Sequence, residues 1–200
     1  PADAIRCGIG MVTEDRLTDW TDENGRFQVI PEFYFPQNVV TTQMLRKIFV
    51  KHTGIRIPPG FPEKLEQLAF SPVGGFMKGF VDMVFNYRGR YYLVDWKSNL
   101  LGTRVKDYSR DALNTVMSHD FYILQYHLYT LALYQFLRVR LPGFDYEKDF
   151  GGVFYIFIRG VDPDHGPEFG IYKDYPSPNL IHALAGALIP GGDLGVSQGR

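Results

Sequence analysis

The stretch Gly75-Phe-Met-Lys-Gly-Phe-Val-Asp-Met-Val-Phe-Asn-Tyr-Arg-Gly-Arg-Tyr-Tyr-Leu-Val-Asp-Trp-Lys97 decides the fold. Phe76–Phe85 and Arg90–Lys97 are rich in Val, Phe and Tyr, which suit a pleated surface, and Arg88-Gly89 lies between them. This predicts a β-hairpin, although Asn-Gly would make the better turn. Centring the turn on Arg88-Gly89 puts Tyr87 opposite Arg90 and, counting back, Asp82 opposite Asp95. Opposed strand residues have Cβ atoms about 5 Å apart, where like charges are destabilising. Lys97, two residues beyond Asp95, shares its face. Two carboxylates and a lysine therefore converge on one patch among aromatics. Such a pair either shares a proton or holds a cation, and an oxygen-only donor set suits a hard divalent ion such as Mg²⁺, with Mn²⁺ the alternative. A metal so held can polarise a phosphodiester and supply an attacking hydroxide. Lys97 would orient that water or stabilise charge developing on the phosphate. The plain alternative is a half-solvated sheet on which Lys97 neutralises two exposed acids, and a one-residue slip of register would undo the convergence.

Working outward, Gln28–Phe35 reads as a strand and Thr41–His52 as a helix, with Met44, Leu45, Ile48 and Phe49 at helical spacing. Pro62–Phe70 is a shorter helix, followed after the hairpin by helices over Asp107–Met117 and Phe121–Arg140. The longer of these is apolar at Leu124, Leu128, Leu131, Ala132 and Phe136 and is closed by Pro142-Gly143. Gly151–Arg159 is a buried strand by its continuous apolar run, and Asn179–Leu188 a last helix. Gln125 and Tyr129 are spaced i, i+4 and share a helix face. There an amide and a phenol could contact the site, or simply pack.

The chain has 200 residues, 45% of them hydrophobic and 16% aromatic, which excludes disorder and fits one domain. No apolar run approaches the roughly 18 residues needed to cross a bilayer, so no membrane is expected. A single cysteine, Cys7, excludes an internal disulfide and fits a reducing, cytoplasmic compartment. No Gly-x-x-x-x-Gly-Lys-Ser/Thr occurs, so an ATP site is not expected. The chain begins on Pro1 and closes on a glycine-rich stretch, so we expect a lead-in over 1–26, a domain over 27–189 and a tail over 190–200, cut from something longer. The formal charge of −1 argues at first against nucleic acid. By region it does not: residues 73–110 carry Lys78, Arg88, Arg90, Lys97, Arg104, Lys106 and Arg110 against Asp82, Asp95 and Asp107, a balance of +4. Asp3, Glu14, Asp15, Asp19, Asp22 and Glu23, with Glu32 just beyond, offset it. Arg88, Arg90, Arg104, Lys106 and Arg110 are the expected nucleic-acid contacts.

Four segments resemble one known family. They are Gly75–Asp82, Gly89–Asn99, Leu124–Leu133, and Phe150-Gly-Gly-Val-Phe-Tyr-Ile-Phe-Ile-Arg-Gly-Val-Asp162 with Gly170-Ile-Tyr172 after it. Together they resemble the C-terminal nuclease domain of the RecB family, over about residues 70–185 and, further upstream, at Pro31–Phe35. The resemblance implies an α/β (α+β) fold: a restriction-endonuclease-like core of the PD-(D/E)xK superfamily, with a central mixed β-sheet flanked by helices. It implies that Asp82 is the Gly-x-x-Asp carboxylate, that Asp95 and Lys97 form Asp-x-Lys, and that the Trp96 backbone carbonyl faces a metal. It also implies that Gln125 and Tyr129 form the Gln-x-x-x-Tyr signature. The family places a metal-ligating histidine before the strand at 31–35. Residues 1–30 hold none, so that ligand is expected upstream of residue 1. His52, His119, His127, His165 and His182 read as ordinary histidines, His127 being the strongest exception. The function implied is a Mg²⁺-dependent DNA nuclease acting on single-stranded DNA delivered by a helicase portion, in double-strand-break repair and recombination. RecC and RecD subunits and the RecA recombinase are implied as partners. The alternative is a catalytically silent nuclease-like module that binds a protein such as the recombinase. A β-rich binder of small ligands is a third reading, which leaves the opposed aspartates unexplained.

Overall fold

A computed structural model describes residues 33–37, 39–52, 57–68, 75–79 and 81–191. Cys7, the acids of 1–26, the upstream part of the strand expected from Gln28 and most of the glycine-rich end lie outside these residues. The elements run β1 (Phe33–Gln37), α1 (Thr42–Lys51), α2 (Phe61–Lys64), β2 (Gly75–Gly79), β3 (Met83–Tyr87), β4 (Arg90–Lys97), α3 (Arg110–His119), α4 (Tyr122–Arg140), α5 (Tyr146–Asp149), β5 (Phe150–Phe157), β6 (Ile171–Asp174) and α6 (Pro178–Leu188). The fold is α/β with a mixed sheet and flanking helices, in agreement with a restriction-endonuclease-like core.

The main sheet has the order β3-β4-β5-β6, antiparallel at both edges and parallel between β4 and β5. The parallel step needs a crossover, which α3 and α4 provide. The expected hairpin register holds, with Met83 opposite Val94 and Tyr87 opposite Arg90. The single strand expected over Phe76–Phe85 is instead two strands: β2 pairs with β1 in a separate two-stranded sheet, and β3 pairs with β4. Asp82 stands on the bend between them, where the chain changes partners.

Helix α1 begins where the Thr41 hydroxyl accepts from the Met44 N–H at 3.1 Å. It buries Leu45 and Phe49, as their spacing predicts. The expected helix over Pro62–Phe70 shortens to α2 and a 3-10 turn over Leu65–Gln67. Helix α4 is buried around most of its circumference, at Ile123, Leu124, Tyr126, His127, Thr130, Leu131, Ala132, Leu133 and Leu137. A helix apolar on all sides belongs inside the molecule, and α4 fills the interior against the sheet. Strand β5 bulges beside Tyr91 and Tyr92: Tyr91 pairs with Phe150 and Tyr92 with Gly152, skipping Gly151. Gly152 takes φ 122°, and a Cβ on it would stand 2.6 Å from the Asp174 carbonyl oxygen. Only glycine suits that position. The extra residue sets Tyr155 opposite Asp95.

Candidate active site

Asp95 and Lys97 lie at the C-terminal end of β4 on the face turned toward α4. Asp95 is 4% exposed, so the alternative of two solvated acids is corrected for this residue. Burial, with the Asp82 charge acting in the same direction, pushes its carboxyl up to about 6, although the Lys97 ammonium opposes the rise. The Lys97 Nζ sits 2.5 Å from Asp95 Oδ1. It also donates to Gln125 Oε1 at 3.0 Å and lies over the Tyr122 and Tyr155 rings, 4.0 and 4.9 Å from their centroids. A lysine so surrounded is held in one place by an anion, an amide oxygen and two π faces.

Gln125 and Tyr129 lie one turn apart on α4; Gln125 meets this lysine, and Tyr129 joins through Gln125. The Gln125 Nε2 donates to the Tyr129 hydroxyl at 3.1 Å, and the Tyr155 hydroxyl donates to Gln125 Oε1 at 2.9 Å. Burial pushes the Tyr129 phenol up to about 12, with the Asp95 charge adding to the rise, so it stays a protonated hydroxyl. Asp82 joins from the bend: its Oδ2 accepts the Trp96 N–H at 2.8 Å. The expectation of Asp82 paired across the ladder from Asp95 is thus corrected in detail. The ladder ends at Met83, and the carboxylate reaches the β4 backbone beside Asp95 instead. Lys97 O accepts the Ile158 N–H at 3.0 Å on the β5 side. Alternation therefore turns the Trp96 N–H and carbonyl toward the Asp82 side. The Trp96 indole, on the opposite face of the sheet, is 45% exposed.

Among the described residues no cluster of three His, Cys, Asp or Glu side chains could hold a metal. The donor set nonetheless fits a hard cation. It has two carboxylates, with only Oδ2 of Asp82 and Oδ1 of the buried Asp95 engaged among the described residues, and a Trp96 carbonyl turned toward the Asp82 side. Mg²⁺ is commonly bound by one or two carboxylates with water completing its shell. His127 is a core residue. It is 2% exposed, its Nδ1 donates to Ile123 O at 2.7 Å, and its ring lies against Phe49 and Tyr126. Two positions from Gln125 on a helix, it faces away from the carboxylates.

The basic stretch divides. Arg88 and Arg90 are exposed at the hairpin turn, roughly 17 Å along the strand from Asp95 at about 3.3 Å per residue. Arg104, Lys106 and Arg110 follow β4 near its C-terminal end, and Arg104 is gripped by Asp107 at 3.0 Å. The sequence reading missed Tyr122 and Tyr155. Tyr122 donates to Asn99 Oδ1 at 3.2 Å, and the Asn99 amide donates to Asp120 Oδ2 at 3.2 Å. Tyr122 adjoins Gln125 by helical spacing and was findable there. Tyr155 was not, because only the bulged parallel register brings it to Asp95.

No family model matches the chain. Curated relatives do, each described as RecBCD enzyme subunit RecB. The protein of Haemophilus influenzae is 46% identical over 121 residues, 60% of this chain and 10% of that protein. That of Escherichia coli is 44% identical over 156 residues, 77% of this chain and 12% of that protein. A Mycobacterium tuberculosis counterpart is 35% identical over 127 residues, covering 60% and 12%. The chain thus spans about a tenth of the length of the curated relatives it matches.

Proposed function

The chain is homologous to a segment of the RecB subunits, and from that premise we propose that it is a metal-dependent DNA nuclease module of a RecBCD-type enzyme. The observation that carries this is the convergence of Asp82, Asp95, Lys97, Gln125 and Tyr129 from a bend, a strand and a helix that are distant in sequence. Asp82, Asp95 and the Trp96 carbonyl would hold Mg²⁺ or Mn²⁺, which when bound polarises a phosphodiester and acidifies water. Lys97 brings a fixed ammonium to the place where a phosphate gains negative charge during hydrolysis. Gln125 fixes where that ammonium points, and Tyr129 supplies a protonated hydroxyl at the same spot. Tyr122 and Tyr155 roof the lysine and keep it dry, which strengthens its interaction with a bound anion.

The substrate fitting this reading is a single strand of DNA, delivered by the rest of a larger enzyme that includes RecC and RecD, in repair and recombination. Among the described residues no helix is long and apolar enough to cross a membrane. The test is cleavage of single-stranded DNA by the chain with Mg²⁺ or Mn²⁺, and with EDTA. Metal-dependent cleavage abolished by Asp95→Ala is the expected result. Cleavage that survives Asp95→Ala in metal-purified protein overturns it. A wild-type chain that binds no divalent ion by calorimetry and cleaves nothing favours a silent, partner-binding module.

A further inference from the structure

Beyond Lys97 and Phe157 the two parallel strands run into neighbouring loops, and these enclose a cleft of about 290 Å³ lined by Leu100, Thr103, Arg104, Tyr108, Arg159 and Val161 among others. Its walls are fixed from within. The Tyr108 hydroxyl donates to Asn99 O at 3.3 Å and accepts the Leu101 N–H at 3.2 Å, holding one loop. The other loop lies flush on the Tyr108 ring at Gly160, where a Cβ would stand 2.3 Å from the ring carbon. The Gly170 N–H donates to Tyr108 O at 3.0 Å behind it. Tyr108 itself is 2% exposed. The cleft is therefore preformed.

Arg159 belongs to this cleft and to no ion pair among the described residues. Its Nε donates to Ser98 O at 2.9 Å, one residue past Lys97, which fixes the guanidinium while leaving its terminal N–H groups for a ligand. Arg104, on the facing wall, is already engaged by Asp107, and Asp162 by His165. Leu100 and Val161 give the rim exposed apolar surface.

We infer that this cleft binds the phosphodiester backbone of single-stranded DNA next to the bond that is cut, with Arg159 as its phosphate contact. The inference rests on the nuclease reading, since a polymer must continue past the reacting phosphate. The C-terminal ends of β4 and β5, at Lys97 and Phe157, continue into the loops that line the cleft. A planar guanidinium pre-oriented by Ser98 suits a phosphate's paired oxygens. The apolar rim offers surface to bases or sugars, and a cleft this small admits a single strand, not a duplex.

The test is fluorescence anisotropy of a labelled oligothymidylate of about 20 nucleotides, longer than the roughly 4–16 that one small domain covers. EDTA is present throughout, so neither metal nor cleavage enters the readout. Arg159→Glu is expected to weaken binding about tenfold or more. It should also flatten the slope of log affinity against log salt by about 0.7, the value for one lost phosphate contact on a single strand. Leu100→Glu, at an exposed side chain with no internal bond to lose, should weaken binding in the same direction. Arg138→Glu, remote on α4, should not. Unchanged affinity and slope in both Arg159→Glu and Leu100→Glu, or a wild-type chain that fails to bind the oligonucleotide, overturns the subsite. Neither result touches the nuclease reading, which stands or falls on metal-dependent cleavage and Asp95→Ala.

Discussion

Gln125 accepts from Lys97 and from Tyr155 through one amide oxygen while its nitrogen donates to Tyr129. Gln125→Leu keeps the volume and removes all three bonds, leaving the buried Tyr155 hydroxyl without an acceptor. An unsatisfied buried hydroxyl costs about 1–3 kcal/mol, so urea denaturation should show a loss of that order. On the proposed nuclease reading, kcat for cleavage should fall at least about tenfold with little change in KM, because the freed lysine would no longer point at the reacting phosphate. Asp95 and Lys97 were legible because strand alternation is a local rule. Gln125 and Tyr129 were legible because i, i+4 neighbours on a helix must share a face. Tyr155 and Arg159 were not. They reach the site from some 60 residues along the chain, across a parallel pairing whose register no local pattern announces.

At the scale of elements, the β5 bulge and the start of α4 set the geometry. Phe121 opens α4 in the left-handed region at φ 57°, unusual for an aromatic residue, and puts Tyr122 directly over Lys97. Gly152→Ala should destabilise the chain by about 1–3 kcal/mol in thermal denaturation, since Cβ meets both an unfavourable φ and the Asp174 carbonyl. Tyr108→Phe should cost about 1–2 kcal/mol, because it removes the hydroxyl that ties Asn99 to Leu101. The break of the expected Phe76–Phe85 strand escaped the sequence for a related reason. Both halves have β-forming composition, and only the partner of each, β1 or β4, decides where pairing stops.

For the molecule as a whole, two buried groups beside α4 link stability to pH in opposite directions. Burial pulls the His127 imidazole down to about 4, against the backbone bond to Ile123 and the Asp174 charge, both of which favour its protonation. Asp174 in turn accepts from the buried Tyr126 hydroxyl at 2.7 Å. Unfolded, His127 takes up its proton below about 6.5, so the unfolded chain binds more protons between 6.5 and 4 and stability falls as pH drops through that window. The gap corresponds to about 3 kcal/mol. Asp95, raised to about 6, runs the opposite way, stabilising the fold as pH falls below 6, so the two largely offset each other. The difference in urea midpoint between wild type and His127→Leu isolates the histidine. It should shift in favour of the variant as pH drops from 7 to about 4.

The bend at Asp82 couples the site to the order in which the chain assembles. Residues before it are fixed by pairing with β1 and residues after it by pairing with β4. A chain that has zipped only the β3–β4 hairpin therefore carries this carboxylate on a loose tether. During refolding, pulsed hydrogen exchange should show the Trp96 amide gaining protection after the amides of the hairpin ladder. Competence for chemistry would then be the last thing the fold acquires, later than compactness.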